Sequence, residues 1–116
     1  MALADVPTTW RCAAGAILPG RTAKFRLHHG SKTIEGFIVN HDGRHYAYVN
    51  RCPHAGSPLN WMPDRFLDRD REHILCTAHG ALFEIESGLC IAGPCPGASL
   101  TTVRAEIRGG DIWIDE

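Results

Sequence analysis

The sequence of 116 residues lacks any long hydrophobic run and any strong excess of charge. No stretch approaches the roughly 20 apolar residues that a helix needs to cross a bilayer. Twelve basic against 13 acidic residues leave a net charge of −1, which argues against nucleic acid or an anionic membrane surface as a partner. Residues 1–7 contain no basic segment and no apolar run that would suit a signal peptide. These absences lead us to expect a cytoplasmic protein without a membrane span.

The chain also lacks internal repeats, low-complexity segments and the 3.6-residue apolar pattern of a helix, apart from one short turn near 63–67. Instead, short runs rich in β-branched and aromatic residues alternate with turns rich in Gly, Pro and Asp. The length suits a single domain, which we place at residues 10–116 after a flexible arm at 1–9. We predict an all-β fold of small antiparallel sheets. The expected strands are 24–27, 36–40, 45–50, 73–76, 81–85, 89–91, 102–107 and 112–114, with tight turns at 41–44, 86–88 and 108–111.

Two short segments each combine a cysteine with a histidine, in the sequences Cys-Pro-His-Ala-Gly and Cys-Thr-Ala-His-Gly. They supply two thiolates, Cys52 and Cys76, and two imidazoles, His54 and His79. A dinuclear cluster needs two facing loops, each of which gives a sulfur to one iron and a nitrogen to the other. Two thiolates on one iron and two imidazoles on its neighbour are the ligands of a Rieske [2Fe–2S] centre. The spacing therefore predicts such a centre on these four residues.

A structural zinc site is the alternative use of the same side chains. Such sites usually follow the spacing C-x₂₋₄-C…H-x₃₋₅-H, whereas each segment here mixes one cysteine with one histidine. A zinc-stabilised interaction module remains open as an alternative, and an iron–sulfur sensor is disfavoured because no nucleic-acid-binding element is visible. Gly56 and Gly80, which end the two segments, suit loops whose amides turn inward towards bridging sulfides.

On these segments the chain resembles a bacterial Rieske-type ferredoxin. The resemblance rests on R-C-P-H-A-G-S-P-L at 51–59, C-T-A-H-G-A-L-F at 76–83 and G-L-C-I-A-G-P-C-P-G-A-S-L at 88–100. The third stretch is similar to the family's Gly-Pro-x-Pro turn, which covers the cluster. The resemblance implies a Rieske-like fold in which two loops form a cluster-binding tip. One departure is the spacer between the two segments, residues 55–75, which is longer than usual and includes a charged stretch at 62–73.

The same resemblance implies a function. It predicts a soluble one-electron carrier, not an enzyme, that holds one Rieske-type [2Fe–2S] cluster on Cys52, His54, Cys76 and His79. Its partners would be a reductase as electron donor and an oxygenase or other terminal enzyme as acceptor. A small ferredoxin-like subunit of a multisubunit reductase, such as nitrite reductase, is the alternative with the same chemistry. A complete oxygenase is not expected, because 116 residues leave no room for a catalytic domain.

The residues around the cluster predict a low reduction potential. In high-potential relatives a serine follows the His-Gly of the second loop and a tyrosine stands two positions later, and both hydroxyls donate to sulfur. Ala81 and Phe83 hold these positions here and cannot donate. We therefore expect a potential near the low end of the range of about −150 to +300 mV known for Rieske centres. Pro94, Gly56 and Gly80 are the other residues that we expect to surround the cluster.

Two further cysteines, Cys90 and Cys95, lie in the third stretch. They can either pair with each other or be buried as small apolar side chains, and free cysteine is among the most buried residue types. In respiratory Rieske proteins an additional cysteine in each loop forms a disulfide that joins the loops. Those positions hold Ser57 and either Thr77 or Ala78 here. The missing bridge fits a reducing compartment.

Overall fold

The structure, a computed structural model, describes residues 9–29, 31–53, 56, 58–60, 66–77 and 80–115. Within these residues the chain forms nine β-strands and one short 3₁₀ helix. The strands are β1 (Thr9–Ala13), β2 (Thr22–His29), β3 (Lys32–His41), β4 (Arg44–Val49), β5 (His73–Leu75), β6 (Leu82–Glu84), β7 (Cys90–Ala92), β8 (Thr102–Arg108) and β9 (Asp111–Asp115), and the 3₁₀ helix is Ala14–Ala16.

The chain divides into two compact units. The first contains the described residues up to Ala47 together with those from Val103 onwards, and the second contains the described residues from Tyr48 to Thr102. Both predicted cysteine segments fall within the second unit. Each unit has its own sheet and its own buried apolar side chains, and we describe them separately.

The first unit is built on a six-stranded sheet in the order β1-β9-β8-β4-β3-β2. Strands β2 and β3 form its longest antiparallel pair, from Thr22 opposite Val39 to His29 opposite Lys32. Because side chains alternate across a strand, β2 turns Phe25 and Leu27 inward and leaves its neighbours Lys24 and Arg26 exposed. One apolar core cluster of this unit consists of Ile17, Phe25, Leu27, Ile38, Ala47, Ile112 and Ile114.

The predicted tight turn at 41–44 is confirmed as the connection between β3 and β4. Asp42 and Gly43 both have positive φ angles, 53° and 89°, as a two-residue hairpin turn requires. The Gly43 N–H donates to Asn40 Oδ1 at 2.9 Å, and the buried Asn40 amide in turn donates to the Ile17 carbonyl at 2.7 Å. The turn is therefore held by a side chain that also anchors the segment before β2.

The second unit is built on a three-stranded antiparallel sheet in the order β5-β6-β7. Its core side chains are less than 5% exposed. They include Tyr48, Phe66, Ile74, Phe83, Ile85, Cys90 and Leu100. The Tyr48 hydroxyl donates to the Ile85 carbonyl at 2.5 Å, so the one polar group of this large buried ring is satisfied. Gly88 lies against that ring, since a Cβ there would come within 2.8 Å of a Tyr48 ring carbon.

The predicted all-β fold of small antiparallel sheets is confirmed. Each predicted strand overlaps an observed one, whereas β1 was not predicted. The expected arm at 1–9 lies outside the described residues except for Thr9, the first residue of β1, and most of the expected helical turn at 63–67 also lies outside them. In the part of the chain that is described, no helix is long and apolar enough to cross a membrane.

Candidate metal centre

The same backbone hydrogen bond closes each of the two cysteine segments. In the first, the Gly56 N–H donates to the Cys52 carbonyl at 2.7 Å, and in the second the Gly80 N–H donates to the Cys76 carbonyl, also at 2.7 Å. The φ angles of the two glycines match as well, at 73° and 76°. Positive φ is costly for residues that carry a Cβ, which explains why each segment ends in glycine. The described ends of the two segments therefore match in their closing hydrogen bond and in the φ angle of their glycine.

Both cysteines of these turns are completely buried, with 0% of their surface exposed. The predicted partners His54 and His79 lie outside the described residues. Among the residues that are described, no group of three His, Cys, Asp or Glu side chains is arranged to hold a metal ion. The described half of the predicted ligand set thus consists of two buried thiols, and the complete four-residue set remains a prediction.

Polar contacts that the sequence did not predict join the two loops. The Leu59 carbonyl accepts hydrogen bonds from both the backbone N–H and the hydroxyl of Thr77, each at 2.9 Å. On the other side, the Leu59 N–H donates to Asn50 Oδ1 at 2.8 Å, and the Asn50 amide donates to Asn60 at 2.7 Å. The only signal in the sequence was Thr77 itself, one of the positions that the resemblance assigns to a disulfide cysteine in respiratory relatives. Hydrogen bonds thus link the first loop to the second.

The third stretch lies directly against the second loop. Gly93 has a φ of 94°, and a Cβ there would come within 2.7 Å of the Ala81 Cα and 3.2 Å of the Ala81 nitrogen and the Gly80 carbonyl oxygen. Because Cβ atoms essentially never approach backbone so closely, only glycine fits here without a shift. Pro94, which follows, is exposed. The close contact supports the expectation that this stretch covers the cluster-binding loops.

Ala81 and Phe83, which we expect to surround the cluster, are both completely buried. The Ala81 carbonyl accepts a hydrogen bond from the Cys76 N–H at 2.9 Å, so this residue closes the second turn. Phe83 lies on β6, opposite Ile74 on one side and Cys90 on the other. Neither side chain carries a hydroxyl, and both line the interior of the unit that contains the two buried thiols.

Cys90 and Cys95 are free thiols in contact with each other. Cys90 is 2% exposed and Cys95 is half-buried. The Cys95 thiol donates to Cys90 Sγ at 3.3 Å, and the Cys90 thiol donates to the Ala92 carbonyl at 3.2 Å. Burial raises the pKa of Cys95 to about 12, assisted by the hydrogen bond to Cys90 and by the charges of Cys90, Cys52 and Cys76.

The long charged spacer between the loops includes a structured hairpin. Leu67 and Ile74 form an antiparallel bridge, and within it Asp68 accepts hydrogen bonds from the backbone N–H groups of Glu72 and His73 at 3.0 and 3.2 Å. Burial alone would raise the pKa of Asp68, but these bonds and the His73 ring at 3.2 Å outweigh it, and the pKa is lowered. The Asp68 carboxylate therefore stabilises this hairpin by its hydrogen bonds to Glu72 and His73.

A family model for the Rieske [2Fe-2S] domain matches residues 15–105. The chain belongs to the Rieske [2Fe–2S] domain family. This Rieske protein is 34% identical over 80 residues to the 3-phenylpropionate/cinnamic acid dioxygenase ferredoxin subunit of Escherichia coli (strain K12). The aligned region covers 67% of this chain and 69% of that subunit. The subunit of the same description from Shigella flexneri matches over the same shares.

Solved structures share the fold of this Rieske protein. It superposes on the ferredoxin of carbazole 1,9a-dioxygenase from Nocardioides aromaticivorans IC177 with a TM-score of 0.70 at 22% identity, covering 93% of this chain and 97% of that one. It also matches the terminal oxygenase of carbazole 1,9a-dioxygenase from Novosphingobium sp. KA1, with a TM-score of 0.75 at 17% identity. That match covers 95% of this chain but only 30% of the oxygenase chain.

Family membership identifies the cofactor as a Rieske-type [2Fe–2S] cluster, and the curated relatives that the chain matches are ferredoxin subunits, which are electron carriers. The described residues fit this group. Two thiols lie buried on two equivalent turns, in a unit whose neighbouring side chains are apolar. Thiolates are the ligands that iron–sulfur clusters require, and burial keeps water away from them.

Proposed function

We propose that this Rieske protein carries single electrons from a reductase to the terminal oxygenase of a dioxygenase system. The observation that carries the proposal is the 34% identity to a protein described as the ferredoxin subunit of a dioxygenase. The paired turns that bury Cys52 and Cys76 support it, because they suit a cluster site on two facing loops. A subunit of a nitrite reductase would use the same cluster, but no contact among the described residues favours it.

The cluster ligands in this proposal are Cys52 and Cys76 on one iron and His54 and His79 on the other. When bound, the cluster supplies a one-electron couple. The chain buries the two thiolates and aligns their loops through the contact between Leu59 and Thr77. It also offers no side-chain hydroxyl at positions 81 and 83, so the more negative, reduced state receives little stabilisation there. A potential near the low end of the Rieske range follows, which suits delivery of electrons to an oxygenase.

We also propose that the protein works in the cytoplasm. Support comes from the cysteines, all five of which lie in the described residues and none of which forms a disulfide there, as expected in a reducing compartment. Cell fractionation followed by immunodetection tests this. Recovery with a periplasmic or membrane fraction would contradict it.

An EPR spectrum with a redox titration of the dithionite-reduced protein tests the cluster and its ligands. We expect a rhombic signal with a low average g value and a midpoint near the bottom of the Rieske range. Cys52→Ser and Cys76→Ser should lose the signal, whereas Cys12→Ser, which changes a half-buried thiol of the first unit, should keep it. His79→Cys should keep a cluster with a changed spectrum and a lower potential. A colourless protein that binds zinc would overturn the electron-carrier assignment.

Single-turnover reactions test the acceptor. Two equivalents of the reduced protein should each transfer one electron to a substrate-bound terminal oxygenase of a dioxygenase, and these two electrons with O2 should yield the hydroxylated product of one turnover. The same protein mixed with a nitrite reductase is the comparison. Faster oxidation by the nitrite reductase than by any oxygenase tried would favour the reductase-subunit alternative and contradict the proposal.

A further inference from the structure

The sulfur atoms of Cys90 and Cys95 lie 3.3 Å apart in the reduced protein. A disulfide bond has a sulfur–sulfur length of about 2.05 Å, so closing the bond requires an approach of roughly 1.3 Å. This is the scale of a side-chain adjustment. Neither thiol belongs to the predicted ligand set, and the proposed electron transfer makes no use of them.

Backbone hydrogen bonds join both cysteines to Gly97 and Ala98, the residues that follow them in the third stretch. The Cys90 N–H donates to the Ala98 carbonyl at 2.8 Å, the Gly97 N–H donates to the Cys90 carbonyl at 3.2 Å, and the Ala98 N–H donates to the Cys95 carbonyl at 3.1 Å. Cys90 itself is held in β7, opposite Phe83. The folded loop therefore positions the thiols for pairing, and most of the ordering that a disulfide demands is already complete.

The accessibility of the two thiols differs, which sets the order of any reaction. Cys90 is 2% exposed, whereas Cys95 is half-buried. An oxidant from solution therefore meets Cys95 first, and Cys90 follows from inside the fold. The stretch between them carries Gly93, whose backbone rests on Ala81 and Gly80 of the second cluster loop. A Cys90–Cys95 bond would tie the far end of this stretch back to β7 and so restrict how far Gly93 can move away from that loop.

We propose that Cys90 and Cys95 form a reversible disulfide that pins the third stretch against the second cluster loop, so that the surrounding thiol–disulfide balance controls how firmly the cluster is retained. The oxidant is a small-molecule disulfide, RS–SR. The Cys95 thiol gives up its proton and its thiolate attacks one sulfur of RS–SR, so that the S–S bond of the oxidant breaks, a mixed disulfide forms and the departing RS⁻ takes up the proton as RSH. The Cys90 sulfur then attacks the Cys95 sulfur of that mixed disulfide, which forms the Cys90–Cys95 bond and releases a second RSH. The two cysteine sulfurs lose two electrons and two protons, which the two released thiols carry, and a dithiol reductant reverses the reaction.

The first test measures bond formation in the wild-type holoprotein, equilibrated anaerobically in mixtures of oxidised and reduced glutathione. After denaturation and alkylation, the reduced protein should present all five cysteines. The oxidised protein should present three, with a single internal bond mapped by mass spectrometry to Cys90 and Cys95. Cys95→Ser, a conservative change at the half-buried thiol, should abolish this bond. Cys12→Ser should leave it intact. This measurement does not depend on electron transfer to any partner.

The second test measures cluster retention by the loss of visible absorbance in the presence of an iron chelator. The disulfide form should release iron roughly tenfold more slowly than the dithiol form, because the Cys90–Cys95 bond resists opening of the third stretch. Cys95→Ser should release iron at the dithiol rate in both buffers, and Cys12→Ser should follow the wild type. Failure of the bond to form at any glutathione ratio would overturn the proposal. So would a disulfide that maps to Cys52 or Cys76, or equal release rates for the two forms.

Discussion

Single residues in the second cluster loop decide how the protein stabilises added charge. Ala81 is completely buried, and its carbonyl accepts a hydrogen bond from the backbone N–H of Cys76. The methyl group of this residue offers no donor towards the neighbouring thiols. By the family resemblance, a serine hydroxyl occupies the same position in high-potential relatives. At position 81, one hydroxyl oxygen therefore distinguishes the surroundings of the cluster in this protein from those in high-potential relatives.

Ala81→Ser should raise the midpoint potential of the cluster. A hydroxyl donor to a charged sulfur contributes about 1.5–3 kcal/mol, which for one electron corresponds to roughly 65–130 mV. The measurement is an EPR-monitored redox titration. Ala105→Ser makes the same chemical change on β8, in the first unit, and should leave the potential unchanged. If the Ala81 variant keeps an intact signal at the parent potential, a missing hydroxyl at this position does not explain a low potential.

At the scale of elements, the packing of the third stretch on the second loop depends on a glycine. Two glycines of this stretch have similar φ angles but different neighbouring atoms. Gly93 and Gly97 both lie in the third stretch, with φ angles of 94° and 89°. A Cβ at Gly93 would come within 2.7 Å of the Ala81 Cα, whereas a Cβ at Gly97 would meet nothing within 4 Å. The two positions thus carry the same strain for alanine but differ in the space available to it.

Gly93→Ala should destabilise the protein more than Gly97→Ala. Both variants should lose about 1–2 kcal/mol because alanine is forced to positive φ, and Gly93→Ala should lose about 1–3 kcal/mol more from overpacking against Ala81. Urea unfolding measures the free energies, and the iron content of the purified variants measures cluster retention. Equal losses in the two variants would contradict the close packing of the third stretch on the second loop.

The elements that the sequence predicted are those whose signal is local. The β3–β4 hairpin follows from Asp42 and Gly43 between two apolar runs, and the glycines that end the cysteine segments predicted the turns that are observed. Strand β1 was missed because it forms by pairing with β9, from Thr9 opposite Asp115 to Ala13 opposite Asp111. Because its pairing partner β9 lies about a hundred residues away, the formation of this five-residue strand leaves no local pattern in the sequence.

The candidate site likewise has features that the sequence predicts and features that depend on the folded structure. Residue types and spacing predicted the cysteines of both loops, since ligand chemistry restricts those positions directly. The bonds from Thr77 to Leu59 and the contact between the thiols of Cys90 and Cys95 depend on where the folded loops meet. Threonine and free cysteine serve many ordinary structural roles, so their identity alone does not predict these contacts.

At the scale of the whole molecule, the two units differ in the interactions that stabilise each of them internally. The first has a six-stranded sheet over a continuous apolar core that includes Leu27, Ile38 and Ile112. The second has a three-stranded sheet with strands of three residues each, and its loops bury two thiols that the cluster would bind. Metal binding to such a site contributes directly to folding free energy. The second unit should therefore depend on the cluster, and the first should not.

Removal of the cluster should loosen the second unit selectively, as measured by hydrogen–deuterium exchange of the holoprotein and the apoprotein. Backbone amides at Gly56, Thr77 and Gly80, which are hydrogen-bonded within the cluster loops, should exchange much faster in the apoprotein because local opening there no longer breaks metal–ligand bonds. Amides of β2 and β3, paired along eight residues, should keep their protection. Reconstitution with iron and sulfide should restore the original pattern. Equal loss of protection in both units would instead mean that they open together, as the single domain predicted at residues 10–116 requires.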